Sequence, residues 1–125
     1  MADPNFLKKV PNPVIIKNID HGKVVSLVDL VTYQEGQVVS RTLSQHKTVT
    51  LTLFAFDVGE GISTHTTPGD AMVQVLDGAA EITIGDEVFT VRAGESIVMP
   101  ANIAHGLKSN ERFKMLLTLI KEKKV

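Results

Sequence analysis

From Gln37 onward the apolar positions recur with a period of two. Val39, Thr42 and Ser44 open the pattern, and Thr48 to Phe56 continues it, threonines alternating with Val49, Leu51 and Leu53 before Phe54-Ala55-Phe56. Such alternation marks half-buried strands. Turn residues then punctuate the chain at Asp57 to Gly61, Pro68 to Asp70, Asp77-Gly78, Gly85-Asp86, Ala93 to Glu95, Pro100 to Asn102 and Ser109-Asn110. Glycine and asparagine supply left-handed backbone at such points, and proline and aspartate favour chain reversal. Short strands at even spacing, with no helical period between them, predict an all-β antiparallel sandwich or barrel and exclude a parallel sheet with crossover helices. In the last segment Phe113, Met115, Leu117 and Leu119 face one side. The opposite side is also apolar at Leu116 and Ile120, which predicts that it meets a second layer or a partner chain.

Ahead of this region the pattern is weaker. Pro4, Pro11 and Pro13 rule out a regular helix or a central strand over residues 1–13, which reads as an arm lying on the body. Ser26, with Asp29 three residues on, forms a capping-box-like start for one helical turn through Leu27 to Leu30.

Composition narrows the classes further. At 125 residues the chain has the length of one domain, 1–125. Its 43% apolar and 22% charged residues place it among globular proteins that fold. The net charge of −1 and the scatter of the basic residues, apart from Lys121, Lys123 and Lys124, leave no cationic face for nucleic acid. No apolar run approaches the ~20 residues of a membrane span, and no signal-peptide run opens the chain, so the expected location is the cytoplasm. The absence of cysteine excludes disulfides, thiol nucleophiles and thiolate-bound metals, leaving oxygen and nitrogen as candidate ligands.

Two stretches carry a family resemblance. Gly59, His65 and Gly78 stand in register with the first cupin motif, G-x5-H-x-H-x3-4-E-x6-G. Gly94, Pro100 and His105 stand in register with the second, G-x5-P-x-G-x2-H-x3-N. The chain therefore resembles a small single-domain cupin of the conserved-barrel type, over about residues 47–120. The resemblance implies an antiparallel cupin or jelly-roll barrel of two facing sheets, a double-stranded β-helix, with the two motifs meeting at one pocket. Independently of it, Gly78, Gly85 and Gly94 fall where turns need positive φ or a close backbone approach.

A metal-binding cupin of this pattern would offer three histidines and a glutamate to Fe, Mn, Ni or Zn, leaving positions open for substrate. In register here are His65 and His105, while the second histidine position is Thr67 and the carboxylate position Ala71. With two of four ligands missing, any divalent metal is expected to bind weakly. Asp70 reaches the pocket only if the loop after Pro68 is not yet extended, and Gln74 is out of phase with position 71. Counting a hairpin about Gly59 sets His46 opposite residue 72, ~20 Å or more from His65 at ~3.4 Å per residue. His46 and His21 therefore read as surface histidines.

The expected ligand pocket comprises His65, Thr67, Ala71, Met99 and His105, with Phe54, Phe56, Phe113 and Met115 as further wall or plain core. The resulting expectation is a small-molecule-binding cupin with a degraded metal site, its ligand anionic or carbonyl-bearing. The alternative is a metal-dependent cupin enzyme, an oxygenase or isomerase, with an incomplete or unusual ligand set. A homodimer is expected from the apolar outward positions and the proline-rich arm. No phosphate loop, nucleotide fingerprint or serine elbow is present; Ser63 lacks the glycine two residues on that an elbow requires.

Overall fold

A computed structural model describes residues 14–123; the arm read over residues 1–13 lies outside them. Eight strands follow in order: β1 (Val38–Gln45), β2 (Val49–Phe56), β3 (Gly61–His65), β4 (Asp70–Ile84), β5 (Glu87–Arg92), β6 (Ser96–Met99), β7 (His105–Lys108) and β8 (Phe113–Ile120). All pairings are antiparallel. One sheet holds β1, β2, β8, the first half of β4 and β6. The facing sheet holds β3, β7, the second half of β4 and β5. Among the described residues no helix is long and apolar enough to cross a membrane.

The fifteen-residue β4 joins the two sheets, and here the chain departs from the sequence reading. Asp77-Gly78 reads as a turn but lies inside a continuous strand. The register against β8 slips between Val75 and Asp77, and Gly78 adopts φ 69°. A Cβ there would collide with the Arg112 carbonyl oxygen. Bulge and glycine together kink β4, so that one strand serves both sheets. Gly85 and Gly94 also have positive φ, 58° and 88°, at the turns before β5 and β6.

Between the sheets Phe56, Val73, Ile82, Phe113 and Met115 are fully buried. The Phe56 and Phe113 rings stack with centroids 4.4 Å apart and an interplanar angle of 12°. Of the candidate walls, Phe56, Phe113 and Met115 are thus plain core, while Phe54 is only partly buried against it.

At Leu116 the outward apolar face of β8 meets a second layer, built from the chain itself, whereas Ile120 is 56% exposed. Leu116 packs with Leu53, Ala55, Leu43 and Val31, and Ile19, Leu27, Leu30 and Tyr33 lie over them. This fixes the phase of β2. Leu51, Leu53 and Ala55 point outward beneath the N-terminal layer, so Thr50, Thr52, Phe54 and Phe56 point into the barrel. The threonines that mark a solvent face by alternation are therefore interior residues, because both faces of β2 are covered.

The helical turn expected after Ser26 is present as a 3-10 turn over Leu27–Leu30 without a side-chain cap; it is closed by Asp29 N–H donating to the Ser26 carbonyl. The layer is also tied down by polar bonds. Tyr33 Oη donates to Asp77 Oδ2 at 2.5 Å, Lys114 Nζ to the Val28 carbonyl at 2.7 Å, and Gly36 N–H to Asp57 Oδ2 at 2.7 Å. Along the free edge of β1, Lys17 N–H donates to the Leu43 carbonyl and Ser44 Oγ to the Ile15 carbonyl. These bonds occupy backbone and side-chain groups that an open edge would leave to a foreign strand.

Candidate functional site

Strand ends assemble the site. β3 ends at His65 and β4 begins at Asp70; β6 ends at Met99 and β7 begins at His105. Both connections cross between the sheets at the same end of the barrel, and Asn102 N–H donates to the Thr67 carbonyl at 2.8 Å to join them. The Pro100–Ile103 turn needs left-handed backbone at its third residue. The family motif has glycine there; Asn102 takes φ 64° instead, a conformation asparagine tolerates better than most residues.

Asp70, weighed as a substitute pocket carboxylate, is exposed, and its Oδ1 accepts the Ala101 N–H at 2.8 Å. It fastens the turn that leads to His105. β4 is already extended at Asp70, so its side chain points to the opposite face from Ala71.

His65 and His105 are direct cross-strand partners of β3 and β7. Their rings meet edge to face, centroids 4.5 Å apart at 67°. Each Nδ1 lies on a backbone carbonyl two residues upstream: His65 on Ser63 at 2.8 Å, His105 on Ile103 at 3.1 Å. A carbonyl only accepts, so both Nδ1 atoms carry the proton, and in the neutral ring the lone pair is then on Nε2. His65 is exposed and His105 is 2% exposed. No buried side-chain nitrogen or oxygen lacks a partner among the described residues.

Register identifies the neighbours, because directly paired residues share a sheet face. On the His-bearing sheet the row runs His65, His105, Ile84, Glu87. On the facing sheet the row at this end runs Thr50, Leu119, Ala71, Met99. Ala71 and Met99 are paired and buried. Thr67 lies in the β3–β4 loop, where its Oγ1 donates to the Gly69 carbonyl at 3.0 Å. Its hydroxyl proton is thereby spent on the loop.

Thr50, Glu87 and Leu119 are absent from the sequence-derived set. Thr50 shares its phase with Phe54 and Phe56, but only the covered outer face of β2 shows that this phase points inward, and Glu87 needs the pairing of β5 with β4 before it joins the His row. Its Cα lies two strand spacings from that of His105, roughly 10 Å.

The other two histidines stay apart. His21 Nε2 donates to the Ile16 carbonyl at 2.6 Å, and His46 lies in the β1–β2 turn against the Ile15 carbonyl. The hairpin about Gly59 does not form: β2 pairs with β1 and β8, and β3 with β7. A cleft of about 610 Å³ lined by Pro68, Asp70, Asn102, Lys121 and Lys123, among others, opens outside the two loops. It includes none of the five expected pocket residues.

The residues do not fit a tightly held metal ion. Among the described residues no group of three histidine, aspartate or glutamate side chains converges. Open nitrogen and oxygen sites ordinarily present three protein ligands or more.

Comparison with known proteins agrees with this architecture. Residues 52–120 match the sequence profile of the cupin domain, Cupin_2, and the chain belongs to that family. Among solved structures, a conserved protein of unknown function from Streptococcus pyogenes is 44% identical. The match covers 91% of this chain and 100% of that one, with a TM-score of 0.88. A cupin superfamily protein from Desulfitobacterium hafniense is 31% identical over 86% of this chain and 98% of its own, with a TM-score of 0.82. A Cupin 2 conserved barrel domain protein from Leptotrichia buccalis is 43% identical over 75% of this chain and 46% of its own, with a TM-score of 0.74. No curated protein matches the sequence.

Proposed function

We propose that this cupin binds a small organic molecule at the His65/His105 end of its barrel and does so without a resident, tightly held metal. The observation that carries the reading is the state of the two imidazoles. Each has its Nδ1 committed to its own backbone, which leaves Nε2 as the ring nitrogen that can meet a ligand, and no third ligand converges on them among the described residues. Interior-facing Leu117 and Leu119 are only partly buried, whereas Phe113 and Met115, deeper on the same strand and face, are fully buried. That gradient supports a barrel packed solid at one end and open to a ligand at the other.

The test is a ligand screen by thermal shift on the native protein and on His65→Ala. Compounds that raise the melting temperature of the native protein and not of the variant support the reading. A screen in which every stabilising compound acts equally on both contradicts it.

One observation favours a second reading, a metal-dependent oxygenase or isomerase. Two imidazoles ligating one ion through Nε2 at ~2.1 Å and a right angle would hold their centroids roughly 4.5 Å apart, the separation found here. Water would then have to supply the rest of the coordination sphere.

A further inference from the structure

Among the described residues, the strand rows that line the histidine end of the barrel carry no fixed positive charge. Neither the His65–His105–Ile84–Glu87 row nor the facing Thr50–Leu119–Ala71–Met99 row contains lysine or arginine. The next rows inward, represented by Thr52 and Leu117 on one sheet and by Ile62, Leu107 and Ile82 on the other, contain none either. The one charged residue in the two rows is Glu87, a carboxylate.

The hydrogen-bonding capacity is equally one-sided. With both Nδ1 protons donated to the Ser63 and Ile103 carbonyls, the neutral pair offers two acceptors and no donor. The Thr67 hydroxyl proton is spent on Gly69. A carboxylate or phosphate, which only accepts, would face two lone pairs with nothing to offset its desolvation. A hydroxyl group donates, and one such donor can satisfy each Nε2.

We propose that the His65/His105 site takes an uncharged molecule presenting adjacent hydroxyl groups to the two Nε2 atoms, its carbon body lying against Leu117, Leu119 and Met99. This rests on the reading of the pair as an organic-ligand site. It replaces the anionic or carbonyl-bearing ligand anticipated from the motifs. Neighbouring hydroxyl oxygens about 2.8 Å apart, each donating over about 2.8 Å, match two acceptors on rings whose centroids are 4.5 Å apart.

The test compares cis-1,2-cyclohexanediol with cyclohexanecarboxylate, two probes that share a carbon ring and differ in charge. Each is titrated into ¹⁵N-labelled protein at a pH of about 8, where an ordinary histidine is neutral, and the imidazole nitrogen resonances are followed. The diol is expected to move the Nε2 signals of His65 and His105 saturably, with the carboxylate at least about tenfold weaker. His65→Phe should weaken the diol response at His105; because residue 65 is exposed, this variant is a safer test of the pair than one at buried His105. Carboxylate binding as tight as, or tighter than, the diol at these signals overturns the inference and leaves the site reading standing. If neither probe moves either histidine up to its solubility limit, the site reading falls, and this inference with it.

Discussion

Asp57 shows how one side chain joins two parts of the chain. Its Oδ2 accepts the Gly36 N–H at 2.7 Å and its Oδ1 accepts Arg112 Nε at 2.8 Å, so the segment before β1, the end of β2 and the start of β8 meet on one carboxylate. The Gly36 backbone bond first, then the Arg112 bond and the Val58 backbone bond, hold its pKa down to about 2 from the ordinary 3.8. A carboxyl whose folded pKa is depressed contributes stability above its unfolded pKa and loses it as pH falls toward the folded one. Chemical denaturation followed from about pH 5 to about pH 2 should therefore show an acid-side loss of stability that is reduced in Asp57→Asn. An unchanged acid limb in the variant would contradict the assignment. Tyr33 works in the opposite direction. Burial first, then its bond to the Asp77 carboxylate, push its pKa well above the ordinary 10. Its contribution is present at neutral pH and is lost as pH rises past the unfolded value. Because Tyr33 is the chain's single tyrosine, its ionisation can be read directly by ultraviolet absorbance. The native protein should form tyrosinate at higher pH than the protein unfolded in denaturant; coincident titration curves would contradict the bond to Asp77.

Among the elements, β4 decides the architecture, since it is the one strand that pairs in both sheets. Its kink depends on Gly78, where φ is 69° and a Cβ would run into the Arg112 carbonyl. Gly78→Ala is expected to cost about 2 kcal/mol or more, from left-handed strain together with the collision. Gly85→Ala, at φ 58° with open space around it, should cost only about 1–2 kcal/mol; equal losses of stability in the two variants would refute the collision. These two glycines also explain what the sequence can tell a reader. Both announce positive φ, but nothing local says that one closes a turn and the other bends a continuous strand. The strands themselves were legible through their period of two. The phase of β2 was not, because its outward face is covered by residues 19–33, whose packing no local pattern reveals. Likewise the Asp57–Gly61 turn was legible, while its meaning was not: β2 and β3 leave it for different sheets. For the candidate site, the motif spacing anticipated that His65 and His105 would meet. Thr50 and Glu87 entered only with the pairing, since cross-strand neighbours are set by tertiary structure.

At the scale of the whole molecule, a barrel filled at one end and lined by two histidines at the other presents half of a metal site. Ala71 and Thr67 occupy the positions where the family pattern has a carboxylate and a second imidazole. Replacing both, Thr67→His with Ala71→Glu, should bring three nitrogens and a carboxylate to one end of the barrel and raise divalent-metal affinity by orders of magnitude. Calorimetry with Mn²⁺ or Zn²⁺ checks this, and an affinity unchanged from the native protein would show that these positions do not face the pair. Whether this cupin binds an organic ligand with no resident metal is decided by elemental analysis of the purified native protein beside His65→Ala and His105→Ala. Metal far below one atom per chain is expected in all three. Near-stoichiometric metal in the native protein, lost in both variants, would contradict this expectation and make the metalloenzyme reading the correct one.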